Sequence, residues 1–475
     1  MTMNRRRLFA AFAGLSAGAA TPALAREALR NDFWQHEPWQ RETWQHDSWQ
    51  REAMPRAEID AVSLGVRAND ETDQSMVLQR AIARAAAAGA VLRLPAGNYR
   101  AGGLQLPPFA AIAGVAGTTR IVMAGGPSML ASTGSDHVSL TGLVLDGGNL
   151  PLPDGRGLVH LTQGRGLRIA DCEITGAGGD GIKLQSFAGE VTGNTIDAAN
   201  FAIFSNDAAG LRISGNTVRG AGNGGILVWR GTPGDDGTLV IDNRIENISN
   251  KLGGSGQWGN GINVFRADNV IVRGNRISNA AFSAVRGNSA SNLQMVGNTC
   301  TGLGETALFA EFGFQGAVIA NNIVDGAVTG VSVTNFDHGG RLAVVQGNLV
   351  RNLHADRPAS MNPAPGGATG IGVEADAVVS GNVVENIPGV GISAGYGPYL
   401  RDVAISANVV RSADYGITIS VVPGAGAVVV ANNLIADVRL GAIVGMEWNK
   451  PVTGDLSKDG AERYAQLSID GNRVR

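Results

Sequence analysis

The chain has 475 residues, 44% hydrophobic and 17% charged, with a formal net charge of −3 at pH 7. A balance this close to neutral offers no basic field for a nucleic-acid backbone, which excludes nucleic acid as a partner class. Glycine is abundant, at 68 residues, yet follows no Gly-X-Y period, which excludes a collagen-type triple helix.

The first predicted element is an address. Asn4-Arg5-Arg6-Arg7-Leu8-Phe9 precedes an Ala/Gly/Leu-rich stretch to Ala20, and Ala23-Leu24-Ala25 fits a small-residue cleavage site. The apolar core is too short to span a bilayer, and no later run is long enough, so the mature chain is expected to have no membrane span. Paired arginines before a modest apolar core look like a twin-arginine export signal, with the twin-arginine translocase as partner during export. An ordinary signal peptide with an incidental arginine run is the alternative. Both place the protein in the periplasm or outside the cell, with residues 1–25 as signal peptide.

Residues 26–57 read as a low-complexity linker. Trp34, Trp39, Trp44 and Trp49 recur every five residues, a period that fits neither a helix nor a strand. The expectation is a disordered segment, with an aromatic tether to glycan or cell wall as the functional alternative. Residues 58–475 form the folded domain. It opens with a cap, in which Gln74–Ala88 is expected to be an amphipathic helix. Thr72 or Asp73 caps its start, Val77, Leu78, Ala81, Ile82 and Ala85 form its apolar face, and Gly89 ends it.

After the cap a short strand ending at asparagine recurs to the end of the chain. Cores such as Val191-Thr-Gly-Asn194-Thr-Ile196 and Ile213-Ser-Gly-Asn216-Thr-Val218 begin a series that continues through Asn243, Asn275, Asn298, Asn322, Asn348, Asn382, Asn408, Asn433 and Asn472. Cys172 holds the same slot in an earlier copy. A basal period of 22 to 24 residues with insertions means one unit stacked many times. Each copy has only short Val/Ile-rich runs between Gly, Asn and Asp, so the unit is strand-turn-strand and buries its apolar face by stacking. Parallel stacking at about 4.8 Å turns the asparagines into a ladder, and about 13 coils make a rod on the order of 60 Å long. Asparagine also tolerates the left-handed conformation of a sharp turn. Cys172 and Cys300 lie about five coils apart, too far for a disulfide, and are expected to be free and buried.

The helix, the Leu94-Pro95-Ala96-Gly97-Asn98-Tyr99 turn and the asparagine-slot coils together resemble the pectin-lyase-like superfamily. With the Arg-Arg leader, the chain is similar to the family of twin-arginine-translocated β-helix repeat proteins. The resemblance implies an all-β fold, a single-stranded right-handed parallel β-helix of about 12–13 coils with an N-terminal capping α-helix. It also points to acidic polysaccharides, which the better-known relatives cleave or epimerise. The relatives' catalytic signatures are missing. Asp235-Asp236 sits in a Pro-Gly-Asp-Asp-Gly turn, and Asn335-Phe-Asp337-His338 keeps only the Asp and His of an epimerase motif. No cofactor is predicted. Calcium is left open without a motif to support it.

A site can still be sought by aligning the Gly-Ile strands on Ile182, Ile203, Ile226, Ile262, Val285, Leu308, Val331 and Ile371. Strand alternation points the second and fourth positions outward. The second column reads Lys183, Phe204, Leu227, Asn263, Arg286, Phe309, Ser332 and Gly372. The fourth reads Gln185, Asn206, Trp229, Phe265, Asn288, Glu311, Thr334 and Glu374. Insertions at 250–260 and 354–369 enter before strands of this sheet, and one at 231–238 leaves after a strand, which builds a groove. Trp229, Trp258 and Phe265 offer faces for pyranose rings. Arg230, Arg266 and Arg286 offer forks for carboxylates or hydroxyls, and Lys183, Asn263 and Glu374 complete the substrate-binding set. Glu311 is the candidate general acid or base, and Arg286 the candidate stabiliser of a developing anion.

Three functions fit these observations. One is an exported enzyme, a lyase, hydrolase or epimerase, acting on an acidic polysaccharide. The second is a non-catalytic glycan-binding or envelope-structural rod. The third is a cofactor-carrying exported protein.

Overall fold

The computed structural model describes residues 56–475, apart from 198, 255, 335–339 and 357–366. The leader and Trp-repeat segments, and the Asp337/His338 pair, therefore lie outside the described residues, as does most of the 354–369 insertion.

The domain is a parallel β-solenoid of about 13 coils. Each coil contributes a strand to each of three parallel faces, so strands distant in sequence pair directly: Val191 with Ile213, Ile213 with Val240, and Val240 with Val272. Inward side chains of successive coils stack into columns. Ile182, Ile203, Ile226, Ile262, Val285, Leu308, Val331, Ile371, Ile392 and Ile417 form one such column, each with no exposure. Full burial of side chains of this size is worth roughly 1.5–3 kcal/mol each, offset by the entropy of ordering the chain. Alanine precedes Ile203, Val285 and Leu308 and glycine precedes the other seven, and the small residue has a steric cause. At Gly225 a Cβ would lie 2.3 Å from the carbonyl oxygen of Gly261 in the next coil.

The asparagine ladder forms as expected. From Asn194 to Asn433, each Nδ2 donates to the Oδ1 of the next slot at 2.9–3.0 Å. Each backbone N–H of these residues donates to the same oxygen, and each Nδ2 also reaches a carbonyl of the preceding coil. Cys172 opens the ladder, its amide donating to Asn194 Oδ1 at 3.0 Å. One detail of the turn differs from the sequence reading. The left-handed residue is the one before the slot, as in Asp171 (φ +54°) before Cys172, Gly193 (φ +67°) before Asn194 and Asp242 (φ +57°) before Asn243, and the slot asparagines themselves stay out of that region. Their side chains point into the stack, and the preceding residue makes the bend.

The capping helix is Ser75–Ala87, with Leu78, Ala81, Ile82 and Ala85 buried in the common core. The N-cap is Gln74, whose side chain makes no cap bond, so neither Thr72 nor Asp73 holds that position; Asp73, one residue earlier, accepts from the Ser75 amide at 2.9 Å, and Thr72 is bound to Asp70. Val77 is half-buried, and Gly89 (φ +64°) turns the chain out of the helix. Cys172 and Cys300 are free and buried, and burial pushes their thiols up to about 11 and about 12. Among the described residues no helix is long and apolar enough to cross a membrane.

Candidate functional site

The Gly-Ile strands pair in the register expected from the sequence. Ile203 lies beside Ile182 and Ile226, Ile262 beside Ile226 and Val285, and Leu308 beside Val285 and Val331. Trp229 therefore neighbours Phe265, Asn263 neighbours Arg286, and Asn288 neighbours Glu311. Two of the edge insertions differ in kind. The segment after Trp229 continues its strand, Gly224–Asp235, through a register shift between Trp229 and Gly234, so it is a bulged strand extension where a loop was expected. The 250–260 insertion is a true loop, tied down at several points. Lys251 and Gly259 amides donate to the carbonyls of Gly222 and Asn223, and the Leu252 amide donates to Asn223 Oδ1 at 2.6 Å. Asn223 in turn donates to Asn200, and Asn200 to the buried Asp180, a second short polar ladder beside the sheet.

This anchoring lays Trp258 over the sheet. Its indole stacks on Trp229 with ring centroids 5.4 Å apart and planes 10° from parallel. Phe265 tilts against Trp229 at 5.2 Å, Phe204 meets it edge-on at 5.3 Å, and Phe201 packs on Trp258 at 5.1 Å. One face of Trp229 is thus used within the protein. Beside this cluster a cavity of about 390 Å³ opens, lined by Trp229, Gln257, Trp258, Asn263, Phe265, Arg286 and Asn288. Asn263 is buried and donates to the Gln257 carbonyl at 3.1 Å, which closes the loop onto the floor.

Arg286 forms the polar wall. Its Nε and Nη2 donate to the two oxygens of Glu311 at 2.7 and 2.9 Å, a bidentate pair, and its Nη1 lies 3.6 Å from Glu305. Asn288 Nδ2 also donates to Glu311, at 2.9 Å. Glu311 points outward in the register yet is only 3% exposed, because Arg286 and its neighbours cover it. The pair places Glu311 as the group that orients the guanidinium. Gly256 in the loop approaches so closely that a Cβ there would meet Arg286 Nη1 at 1.7 Å.

Of the residues singled out in the sequence, the structure gathers Trp229, Trp258, Asn263, Phe265 and Arg286 around one cavity, with Glu311 behind Arg286. The others are not among its lining residues. Lys183 lies over the Phe204 ring at 4.3 Å and pairs with Asp180 at 3.4 Å. Arg230 is tied to the carbonyls of Ala208 and Thr232, near the buried Asp236, whose carboxyl burial pushes up. Arg266 lies 4.8 Å from the Phe265 ring and donates to the Gly231 carbonyl. Glu374 follows the strand Ala368–Val373, four pairings beyond the Phe265 strand.

Sequence reasoning missed Phe201, Gln257, Glu305 and His160. His160 sits beside Lys183 in the register, and burial, then Arg156 and Lys183, push its imidazole down to about 4. Carrying the second-position column one coil earlier finds it. Among the described residues no group of three or more His, Cys, Asp or Glu side chains is placed to hold a metal ion.

Comparison with known proteins agrees with the architecture. The family described as "right handed beta helix region" matches residues 124–245 and 233–420. A probable ABC transporter binding protein NosD of Pseudomonas aeruginosa is 37% identical over 99 residues, 21% of each chain, so the chain matches about a fifth of that relative's length. The surface adhesin PfbA of Streptococcus pneumoniae is 14% identical with a TM-score of 0.50, over 84% of this chain and 95% of that one. The N-terminal fragment of gene product 12 of bacteriophage Phi29 is 13% identical with a TM-score of 0.54, over 88% of this chain and 70% of that one. At such identities the structural likeness is one of fold alone.

Proposed function

The chain belongs to the right-handed β-helix family, and we propose that it is an exported protein that binds a polysaccharide chain along the sheet carrying Trp229 and Arg286. The observation that carries this reading is the 390 Å³ cavity lined by two indoles and a phenyl ring together with Arg286, Asn263, Asn288 and Gln257. Pyranose rings have apolar faces and polar edges, and a cleft with aromatic faces and hydrogen-bonding edges matches both. Arg286 is held rigidly by Glu311, so little side-chain entropy is lost when a ligand meets it.

The charge of the glycan is a finer question. The pairing of Arg286 with Glu311, and the approach of Glu305, leave that cluster without an excess positive charge. Recognition of an acidic glycan then falls on the rim, on Arg266 and Lys251, because Lys183 is paired with Asp180 and Arg230 lies near Asp236. In this reading stacking supplies most of the affinity and the rim cations a smaller share.

Affinity electrophoresis tests the reading. Polygalacturonate, polymannuronate and their carboxyl-reduced forms would be cast into native gels, and the incubated glycans analysed by mass spectrometry. Retardation by at least one polymer is expected, and tighter binding of acidic than reduced forms marks a role for the rim cations. Fragments one water lighter than hydrolysis products would give Arg286 and Glu311 the catalytic roles that their residue types suggest. No retardation by any polymer would overturn the proposal. Export through the twin-arginine route is part of it, and Arg5→Lys with Arg6→Lys should leave the protein in the cytoplasm.

A further inference from the structure

The far end of the same sheet carries a second group of aromatic side chains. There the strand Leu434–Glu447 turns back on itself, and residues 444–447 pair with Lys450–Asp455 in the one antiparallel ladder among the described strands. Trp448 sits at the tip of that hairpin with φ +55°, a left-handed conformation unfavourable for a bulky side chain. The two-residue turn between the paired Glu447 and Lys450 requires that conformation at its first residue, and it holds Trp448 out at the tip, 46% exposed. Tyr396 meets it edge-on with ring centroids 5.0 Å apart. Gly397 makes this contact feasible, since a Cβ there would stand 2.5 Å from the indole, and Ser420 Oγ fixes it by donating to the Gly397 carbonyl at 2.7 Å. Beside the rings is a recess of about 90 Å³, whose polar lining comes from Thr369, Ser393, Thr418, Ser420 and Asn449 as well as Tyr396.

Position makes this cluster more than an exposed patch. Eight successive strand pairings lead from the Trp229 strand to the Trp448 strand. At about 4.8 Å per rung that is roughly 38 Å along the solenoid. Toward the distal end the second-position column falls to Ser332, Gly372, Ser393 and Thr418, small residues of which the first three are half-buried and Thr418 is buried.

We propose that Trp448 and Tyr396 form a distal platform for a pyranose ring, so that one glycan chain engages both ends of the sheet. The proposal rests on the glycan reading given above. A pyranose unit in an extended chain is about as long as one rung spacing. A tetrasaccharide therefore reaches one platform only, and a decasaccharide reaches both.

Isothermal titration with tetra- and decasaccharides of galacturonate, mannuronate and their carboxyl-reduced counterparts tests this. Wild type should bind a decasaccharide more tightly than its tetrasaccharide. Trp448→Ala should weaken the decasaccharide about tenfold and leave the tetrasaccharide, held at the Trp229 end, unchanged. Tyr396→Ala should repeat the pattern, which guards against a folding effect of one variant. If wild type binds a decasaccharide and neither variant changes it, or if both lengths weaken equally, the distal platform is wrong and the groove reading stands. If wild type binds no oligosaccharide of either length, the groove reading fails and the platform with it.

Discussion

Removing one rung of the asparagine ladder should be costly in the middle of the stack and cheap at its end. Asn298 is 1% exposed and makes four side-chain hydrogen bonds. Its Oδ1 accepts from the amide and from Nδ2 of Asn275, and its Nδ2 donates to Asn322 Oδ1 and to the Val272 carbonyl, all at 3.0 Å. Asn298→Ala leaves two donors of Asn275 without an acceptor in a place water does not reach. At about 1–3 kcal/mol for each buried unsatisfied group, the loss is roughly 2–6 kcal/mol. With a urea slope of about 3 kcal/mol per M, the unfolding midpoint should fall by roughly 0.7–2 M. Asn472 occupies the last slot, accepts the same two bonds from Asn433 and is only half-buried, so water replaces it. Asn472→Ala should cost about 1 kcal/mol or less. Circular dichroism during urea titration measures both. Repeat proteins can unfold in parts, so the midpoints are to be compared by two probes. Equal shifts for the two variants, or a shift at Asn298 too small to detect, would refute the view that the ladder is a satisfied buried network.

Three further outcomes follow from burial and pairing. Arg286→Met leaves Glu311 charged and covered, and should destabilise by about 3–5 kcal/mol, while the double variant Arg286→Met/Glu311→Gln recovers a large part of it. Thermal melts of the three proteins would show this, and a single variant as stable as wild type would argue against a buried pair. The thiols of Cys172 and Cys300 are raised to about 11 and about 12. Between the unfolded value of 9.0 and those values the unfolded state releases its thiol protons first, so stability falls as pH rises through that window. Cys172→Ala/Cys300→Ala should flatten that fall in denaturation curves, and an unchanged slope would contradict it. His160 is lowered from 6.5 to about 4, so between those values the unfolded state holds the extra proton and stability drops as pH falls from 6.5 toward 4. Its ring-proton resonance should titrate near 4, and titration near 6.5 would contradict the burial argument.

Much of the fold could be read from the chain because a solenoid turns sequence periodicity directly into spatial neighbours. The asparagine slots became the ladder, and the Gly-Ile alignment became the strand register without a slip. That register placed Trp229 beside Phe265 and Arg286 one rung from Glu311. Exposure was harder to read. Outward on a strand does not guarantee open to ligand: Glu311 points outward and is covered by Arg286, whose long side chain lies across it. Lys183, Arg230 and Arg266 likewise found local partners that no repeat pattern encodes. The path of the 250–260 loop depends on anchors such as Asn223 to Leu252, contacts set by the loop's own geometry, and so the stack of Trp258 on Trp229 was not predictable in detail. The hairpin carrying Trp448 breaks the parallel repeat, so a search for the repeat passes over it.

The central claim is that a glycan sits against Trp229. Isothermal titration of the tightest-binding polysaccharide into wild type and Trp229→Ala tests it most directly, with circular dichroism to confirm that the coils persist. At least a tenfold loss of affinity in the variant is predicted, about 1.4 kcal/mol or more. Equal affinities for two equally folded proteins would contradict the account.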